Sequence, residues 1–368
     1  MLGLDRRAWQ HFDGVLFGLV AALIGMGAAN LFSATHAGAD GVAPEFQRQM
    51  ISIGLAALGL TVAVLVDYRR LERLAFPLYF LACLLTLSTL VLAPIYKGNQ
   101  SWLVFGPLRL QPSELAKLGL VLALSRYFQR HPPEQLRRLR DLWGPGLVIA
   151  LPVGIIVAQR DTGVALLTLL VGASYLLFVH IPWRAWAVVI AAGGAGFAAL
   201  VGFALEPYQR SRILDFLEPG RDPLASGYQA IQSRIAIGSG GLFGKGFLEG
   251  TQTQLRFLPT QHTDFIFSVL AEEWGFIGSM LVLSLYLVLL LWGLLVASRS
   301  KDGFGAMLAI GVVAMLFWPA AINVAMVLGL APVIGVPLPL FSYGGSAMIA
   351  NLIGVGLLLN VSMRRYLF

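Results

Sequence analysis

Apolar residues run along this chain in long blocks separated by short polar turns. Blocks at 12–33, 47–66, 74–94, 113–128, 143–158, 163–180, 183–204, 264–297, 304–328 and 345–362 predict helices. Most approach the roughly 20 apolar residues that a helix needs to cross a bilayer. The pattern therefore predicts an all-α integral membrane protein with about ten transmembrane helices, forming one domain over residues 1–368. The fifth and sixth blocks are short, carry Pro145 and Pro152, and are separated only by Gln159-Arg160-Asp161. They are expected to be half-membrane elements lining a cavity, where irregular backbone is tolerated. Asp5, Arg6 and Arg7 precede the first block, which is longer than a secretory signal core and reads as a retained helix.

Composition agrees with lipid as the solvent. Hydrophobic residues make up 57% of the chain and charged residues only 12%, against about 25% charge in a soluble domain. The net charge of +7 is explained by topology rather than by nucleic acid, for which no motif is present. With both termini cytoplasmic, fifteen Lys and Arg fall on the inner side and five on the outer, leaving the long loop aside. That is the positive-inside bias. The single Cys83 lies in an apolar run and offers neither a disulfide nor a thiolate cluster. One long polar stretch, 205–263, connects the seventh and eighth helices and is expected outside the cell. Loops of that length are usually functional or disordered. Within it, Tyr228 to Ile237 has helix-like apolar spacing and predicts a short amphipathic helix at the membrane surface.

Four polar constellations stand out against this background. His262-Thr263-Asp264-Phe265 places a carboxylate at the mouth of the eighth helix, where charge is costly without partners or a role. A helix cap and a chemical site both fit that placement. Trp102 and Arg109-Leu-Gln111-Pro112-Ser113-Glu114-x-x-Lys117 lead into the fourth helix. Glu114 and Lys117 share a face and can pair, or Lys117 and Arg109 can offer a phosphate site. Asp161, in Arg160-Asp161-Thr162-Gly163, suits a buried ion pair or a role with a cation. The run from Leu330 to Ser346, with Pro332, Gly335, Pro337 and Pro339, demands irregular backbone before the last helix. The amides of Gly344 and Gly345 there suit either an anion or a tight capping loop.

Taken together, Gln111-Pro112-Ser113-Glu114-x-x-Lys117, Asp161-x-Gly163, Gly227-Tyr228-Gln229, Gly240-Gly241-x-x-Gly244-x-Gly246, Thr263-Asp264-Phe265, Glu272-Glu273-x-Gly275-Phe276 and Pro337-Leu-Pro339-x-x-Ser342-Tyr343-Gly344-Gly345-Ser346 resemble the SEDS family (shape, elongation, division and sporulation). The order and spacing match over nearly the whole chain, and Val336-Pro337-Leu-Pro339 looks like the elongation branch rather than the division branch. Ser101, where many relatives carry Arg, and Arg160, where Pro is common, depart from the pattern.

The resemblance implies a ten-helix fold in the bacterial plasma (inner) membrane with its active site on the outer face. It implies a peptidoglycan glycosyltransferase that polymerises lipid II for cell elongation and rod shape, partnered by a class B penicillin-binding protein and the elongation machinery. It makes Asp264 the catalytic candidate and Glu114 and Lys117 functionally important. A sugar hydroxyl needs a general base, for which Asp264 is suited. The pyrophosphate leaving group needs positive charge from Lys117, Arg109, Arg210, Arg212 or a divalent cation such as magnesium or manganese. No organic cofactor is implied. Gln111, Ser113, Trp102, His262, Thr263, Ser342 and Tyr343 complete the expected substrate-binding set. Two rival readings remain compatible with the composition: a lipid II flippase, and a scaffold that only recruits the transpeptidase.

Overall fold

The computed structural model describes residues 10–36, 42–94, 99–105, 108–179, 181–199, 212, 214, 216 and 228–365. Every predicted block is a helix there. In chain order these are α1 (Gly14–His36), α2 (Pro44–Leu65), α3 (Tyr68–Leu92), a hairpin of β1 (Leu103–Phe105) and β2 (Leu108–Leu110), α4 (Pro112–Arg130), α5 (Trp143–Ala158), α6 (Thr162–Leu176) and α7 (Trp183–Ala199). Then follow α8 (Tyr228–Ser239), the single turn α9 (Thr251–Gln254), α10 (Ile266–Ser298), α11 (Gly303–Val327) and α12 (Gly345–Arg364). Among the described residues, seven helices are long and apolar enough to cross a membrane, α5 qualifying together with the turn before it. The basic residues Arg6 and Arg7, used in the topology argument, lie outside the described residues.

The core is built around α12, which is buried along most of its length. It runs parallel to α2, because Gly345 approaches Ser52, Gly59 approaches Ile353, and Gly356 approaches the Leu60 backbone. A Cβ on Gly356 would lie 2.7 Å from the Leu60 carbonyl oxygen. Small residues thus set the helix spacing, as they do where lipid supplies no hydrophobic drive for association. At the far end of this pair the Asn360 Nδ2 donates to the carbonyls of Ala63 (2.6 Å), Val64 (3.1 Å) and Val66 (2.5 Å), fixing the turn into α3.

α5 and α6 form an antiparallel pair, with Gly172 seated against Ile149. α6 has 15 residues and rises about 22 Å, short of a hydrocarbon core about 30 Å thick. α5, in contrast, exposes Trp143, Leu147 and Leu151, so its outer face meets lipid instead of lying wholly inside the protein. Only the end of the pair near Asp161 lines the cavity described below.

The largest departure from expectation is in the eighth block. The sequence predicts one helix over 264–297, whereas α10 breaks at Gly275 (φ 65°, ψ −160°). Its long part, 276–298, connects through a short turn to α11 and packs on it antiparallel, Gly293 meeting Val313. A straight helix extended from that contact would carry residue 264 about 20 Å beyond the end of α11. Yet Asn323 Nδ2 donates to the Asp264 carbonyl at 2.7 Å. One turn further along both elements, the Ser233 hydroxyl joins Ser268 (2.8 Å) to the Val327 carbonyl (2.7 Å). Residues 264–268 therefore run in the same sense as 323–327, and the chain reverses at Gly275. The segment 266–274 is re-entrant, with Asp264 just ahead of its inner, N-terminal end.

Such a reversal strands backbone groups that need partners. The glycine-rich segment after α8 supplies them. Lys245 N–H donates to the Glu272 carbonyl (3.0 Å) and Gly246 N–H to that of Glu273 (3.0 Å), while Phe276 and Ile277 N–H donate to Gly241 (2.9 Å) and Leu242 (3.2 Å). A Cβ on Gly240 would lie 2.0 Å from the Ala271 oxygen and one on Gly244 would lie 2.1 Å from the Glu273 oxygen. That closeness gives the glycine pattern its physical reason. The amphipathic helix expected at Tyr228 to Ile237 is present as α8, but it docks on the re-entrant segment through the buried Ser233.

Candidate active site

The loop side of the bundle holds a cavity of about 2150 Å³ with two polar walls and an apolar flank. The first polar wall is the tip of the re-entrant segment. His262, Thr263 and Asp264 line it, opposite the irregular run around Gly335. Asp264 is half-buried. A Cβ on Gly335 would lie 3.4 Å from Asp264 Oδ2 and 4.0 Å from Arg212 Nη1, so carboxylate and guanidinium converge on one glycine. Arg212 is held there by its bond to the Val333 carbonyl (2.9 Å). The N-cap position itself falls one residue beyond Asp264. Phe265 occupies the N-cap position without a capping side chain, and the Thr263 hydroxyl donates back to the Thr260 carbonyl (3.2 Å). Asp264 lies just ahead of the positive, N-terminal end of the 266–274 helix.

The second polar wall is the start of α4 and its approach. Glu114 and Lys117 form the expected pair at 2.9 Å, both side chains under a tenth exposed. Gln111 precedes the helix; its Nε2 donates to Asp161 Oδ2 (2.9 Å), and Asp161 Oδ1 caps α6 by accepting the Val164 N–H (3.3 Å). Asp161 thus serves as a helix cap and hydrogen-bond partner, as well as lining the cavity. The β1–β2 hairpin, which the sequence reading does not contain, pairs Val104 with Arg109. Trp102, Val104 and Arg109 consequently face the cavity together.

The run before α12 joins the two walls. The Tyr343 N–H donates to the His262 carbonyl (3.0 Å), and the two rings meet edge-on at 5.7 Å. Ser346 Oγ accepts the Gln111 N–H (2.9 Å) and donates to the Arg109 carbonyl (3.3 Å). Ser342 Oγ is spent on the Leu338 N–H (2.8 Å), stabilising the turn while lining the cavity. Ser113 is buried outside the cavity wall. Arg210 lies outside the described residues.

Two residues that sequence reasoning passed over hold this site together. Gln49 of α2 donates to the Ser342 carbonyl (3.2 Å) and accepts from the Gly344 N–H (3.1 Å), gripping the loop from both sides. Asn323 of α11 binds the carbonyls of Asp264 (2.7 Å) and Val336 (2.6 Å) with one amide nitrogen. The available signal was a lone amide in an apolar span, which is costly without a purpose.

The apolar flank comes from Val153 and Val157 of α5, Leu169 of α6, and Ile51 and Leu55 of α2. Ile51, Leu55 and Leu169 are also exposed on the bundle surface, so the cavity continues into the lipid-facing side. Among the described residues no three His, Cys, Asp or Glu side chains gather as a metal site. Glu114 and Asp161 are already engaged with Lys117 and Gln111. The described residues offer no dedicated divalent-cation cage.

Fold and site together define a polytopic membrane protein built around a charged, lipid-accessible cavity. Residues 14–367 match the FtsW/RodA/SpoVE family, described as Cell cycle protein, and the chain belongs to that family. It is 39% identical over 360 residues to the peptidoglycan glycosyltransferase MrdB of Escherichia coli (strain K12), covering 96% of this chain and 94% of that one. Among solved structures it resembles the rod shape determining protein RodA of Thermus thermophilus, with 34% identity, a TM-score of 0.72, and coverage of 96% and 98% of the two chains. A chain from a structure on coordination of polymerization and crosslinking by a peptidoglycan synthase complex matches with 36% identity, a TM-score of 0.81 and the same coverage.

Proposed function

We infer that this chain is a peptidoglycan glycosyltransferase, the activity for which its relatives are named, and that Asp264 is its general base. The observation that carries the reading is a half-buried carboxylate at the tip of a re-entrant helix, in a cavity also lined by Lys117, Arg109 and Arg212. The 4-hydroxyl of one lipid-linked sugar attacks the anomeric carbon of another and gives its proton to Asp264. The new glycosidic C–O bond forms as the bond to polyprenyl pyrophosphate breaks, with inversion, and the electron pair leaves on the pyrophosphate. A hydroxyl is a weak nucleophile at neutral pH, so the base is required. The arginines and Lys117 offset the charge growing on the leaving group.

An amphipathic substrate such as lipid II suits the cavity, since the polyprenyl tail can lie along Leu169, Ile51 and Leu55 while the sugar pyrophosphate meets the polar walls. The excess of basic residues on the side opposite the long loop supports an active site on the outer face of the plasma membrane. A solved relative belongs to a complex that couples polymerization to crosslinking, which supports a class B penicillin-binding protein as partner here.

The test is polymerisation of lipid II by the purified protein with its transpeptidase partner, comparing the native protein with Asp264→Asn at matched folding and assembly. Loss of glycan product with an intact complex is the expected result. Undiminished polymerisation would remove Asp264 as the base.

A further inference from the structure

Glu272 sits at the far end of the re-entrant segment from Asp264, beside Glu273 in the Glu272-Glu273-x-Gly275 motif. Its side chain is fully buried and is not part of the cavity wall. Oε1 accepts from Lys245 Nζ (2.7 Å), the Gln252 N–H (2.9 Å) and the Thr251 hydroxyl (3.3 Å). Oε2 accepts from the Thr253 N–H (3.1 Å) and hydroxyl (2.9 Å). An ion pair with Lys245 alone would use one of these five donors. The other four bind the carboxylate to the start of α9.

From α9 the hydrogen bonds lead back to the catalytic turn. The Thr253 carbonyl accepts from Gln261 Nε2 (3.3 Å), and the same nitrogen donates to the Ala34 carbonyl of α1 (2.7 Å). Beside Gln261, Thr260 has a positive φ of 53°, and its carbonyl accepts both the Thr263 N–H (3.1 Å) and the Asp264 N–H (3.2 Å). The helix segment 266–274 is the rigid covalent side of a closed figure. Glu272, Thr253, Gln261 and Thr260 form its hydrogen-bonded side, and Asp264 is at the corner where the two meet.

We propose that Glu272 is a positioning residue for glycosyl transfer: it ties α9 to the re-entrant helix and thereby fixes the turn that presents Asp264. This rests on the reading of Asp264 as the base. Because Glu272 is outside the cavity, its loss leaves substrate binding intact and misplaces the base.

The experiment combines steady-state polymerisation with hydrogen exchange on the native protein, Glu272→Gln, Asp264→Asn and the double variant, each with its transpeptidase partner. Gln at 272 turns an N–H2 toward existing donors and breaks at least part of the set. The expected result is a kcat fall of about 10- to 100-fold with KM for lipid II little changed, and faster exchange of the Thr263 and Asp264 amides. In the Asp264→Asn background, Glu272→Gln should cost nothing further, as for residues acting as one unit. A double variant whose losses multiply, or unchanged exchange at 263 and 264, overturns the proposal. Should Asp264→Asn polymerise normally, the base assignment falls, and exchange at these amides still decides whether Glu272 fixes the turn. If Glu272→Gln does not fold, Thr253→Val, which keeps the Lys245 pair, should shift kcat and exchange in the same direction by less; no shift in either overturns it.

Discussion

The amide nitrogen of Asn323 holds the carbonyl of Asp264 at 2.7 Å and that of Val336 at 2.6 Å. One side chain of α11 thus fixes the tip of the re-entrant segment relative to the irregular run on the opposite side of the cavity. Replacing it with Leu keeps the bulk and removes the donor. Two carbonyls, that of Val336 buried and that of Asp264 partly so, then lose a partner, at a cost of about 1 to 3 kcal/mol. The expected outcome for Asn323→Leu is a lowered unfolding temperature in detergent and a kcat for glycan polymerisation reduced by about 10- to 100-fold. Full activity in a properly folded variant would show that the tip is held by other contacts.

Glu114 and Lys117 are a buried pair, so removing one partner strands the other charge. Lys117→Ala is expected to destabilise the protein by about 3 to 5 kcal/mol, whereas the apolar double replacement Glu114→Leu with Lys117→Met recovers most of that stability. Thermal unfolding separates the two. The double variant should nevertheless remain inactive in polymerisation, because the cavity has lost the cation proposed to face the leaving group. An active double variant would assign the pair a purely structural role.

Two neighbouring glycines should respond very differently to alanine. Gly244 (φ +80°) would place its Cβ 2.1 Å from the Glu273 carbonyl oxygen, whereas Gly241 (φ +57°) would meet nothing within 4 Å. Gly241→Ala carries only the left-handed backbone cost, about 1 kcal/mol. Gly244→Ala forces the plug out of the α10 break and is expected to abolish folded, detergent-stable protein, as measured by size-exclusion chromatography and thermal unfolding. Equal tolerance at both positions would contradict the hydrogen-bonded plug.

The outside location proposed for the long loop can be tested by labelling. The native Cys83 is buried, leaving a quiet background for single-cysteine variants. Leu255→Cys, at a side chain that is exposed on the loop side, should react with a membrane-impermeant maleimide on intact spheroplasts. Arg140→Cys, whose native side chain is also exposed, should react only after permeabilisation. The reverse pattern would invert the topology.

The number and positions of the long helices were legible in the sequence because burial in lipid demands long apolar blocks, and block length survives any change of packing. The pairing of Glu114 with Lys117 was legible too, since a spacing of three residues fixes a shared helix face. Three features were not. The β1–β2 hairpin is only three residues per strand, too short for an alternating pattern to register. Gln49 and Asn323 looked like stray amides, and their purpose appears only when the chain near Ser342 and Asp264 is brought against them. The reversal at Gly275 was hidden because a helix that turns back has the same hydropathy as one that runs straight.

By itself, then, the sequence determined a bundle in lipid, its family motifs and the carboxylate at Asp264, because composition and spacing are local properties of the chain. Tertiary structure alone decided that Asp264 sits at a re-entrant tip beside Arg212 and faces the Lys117 wall across one cavity. Those relations depend on where unpaired backbone groups at Gly275 find partners, and the partners lie about thirty residues away in the glycine-rich segment at 240–246.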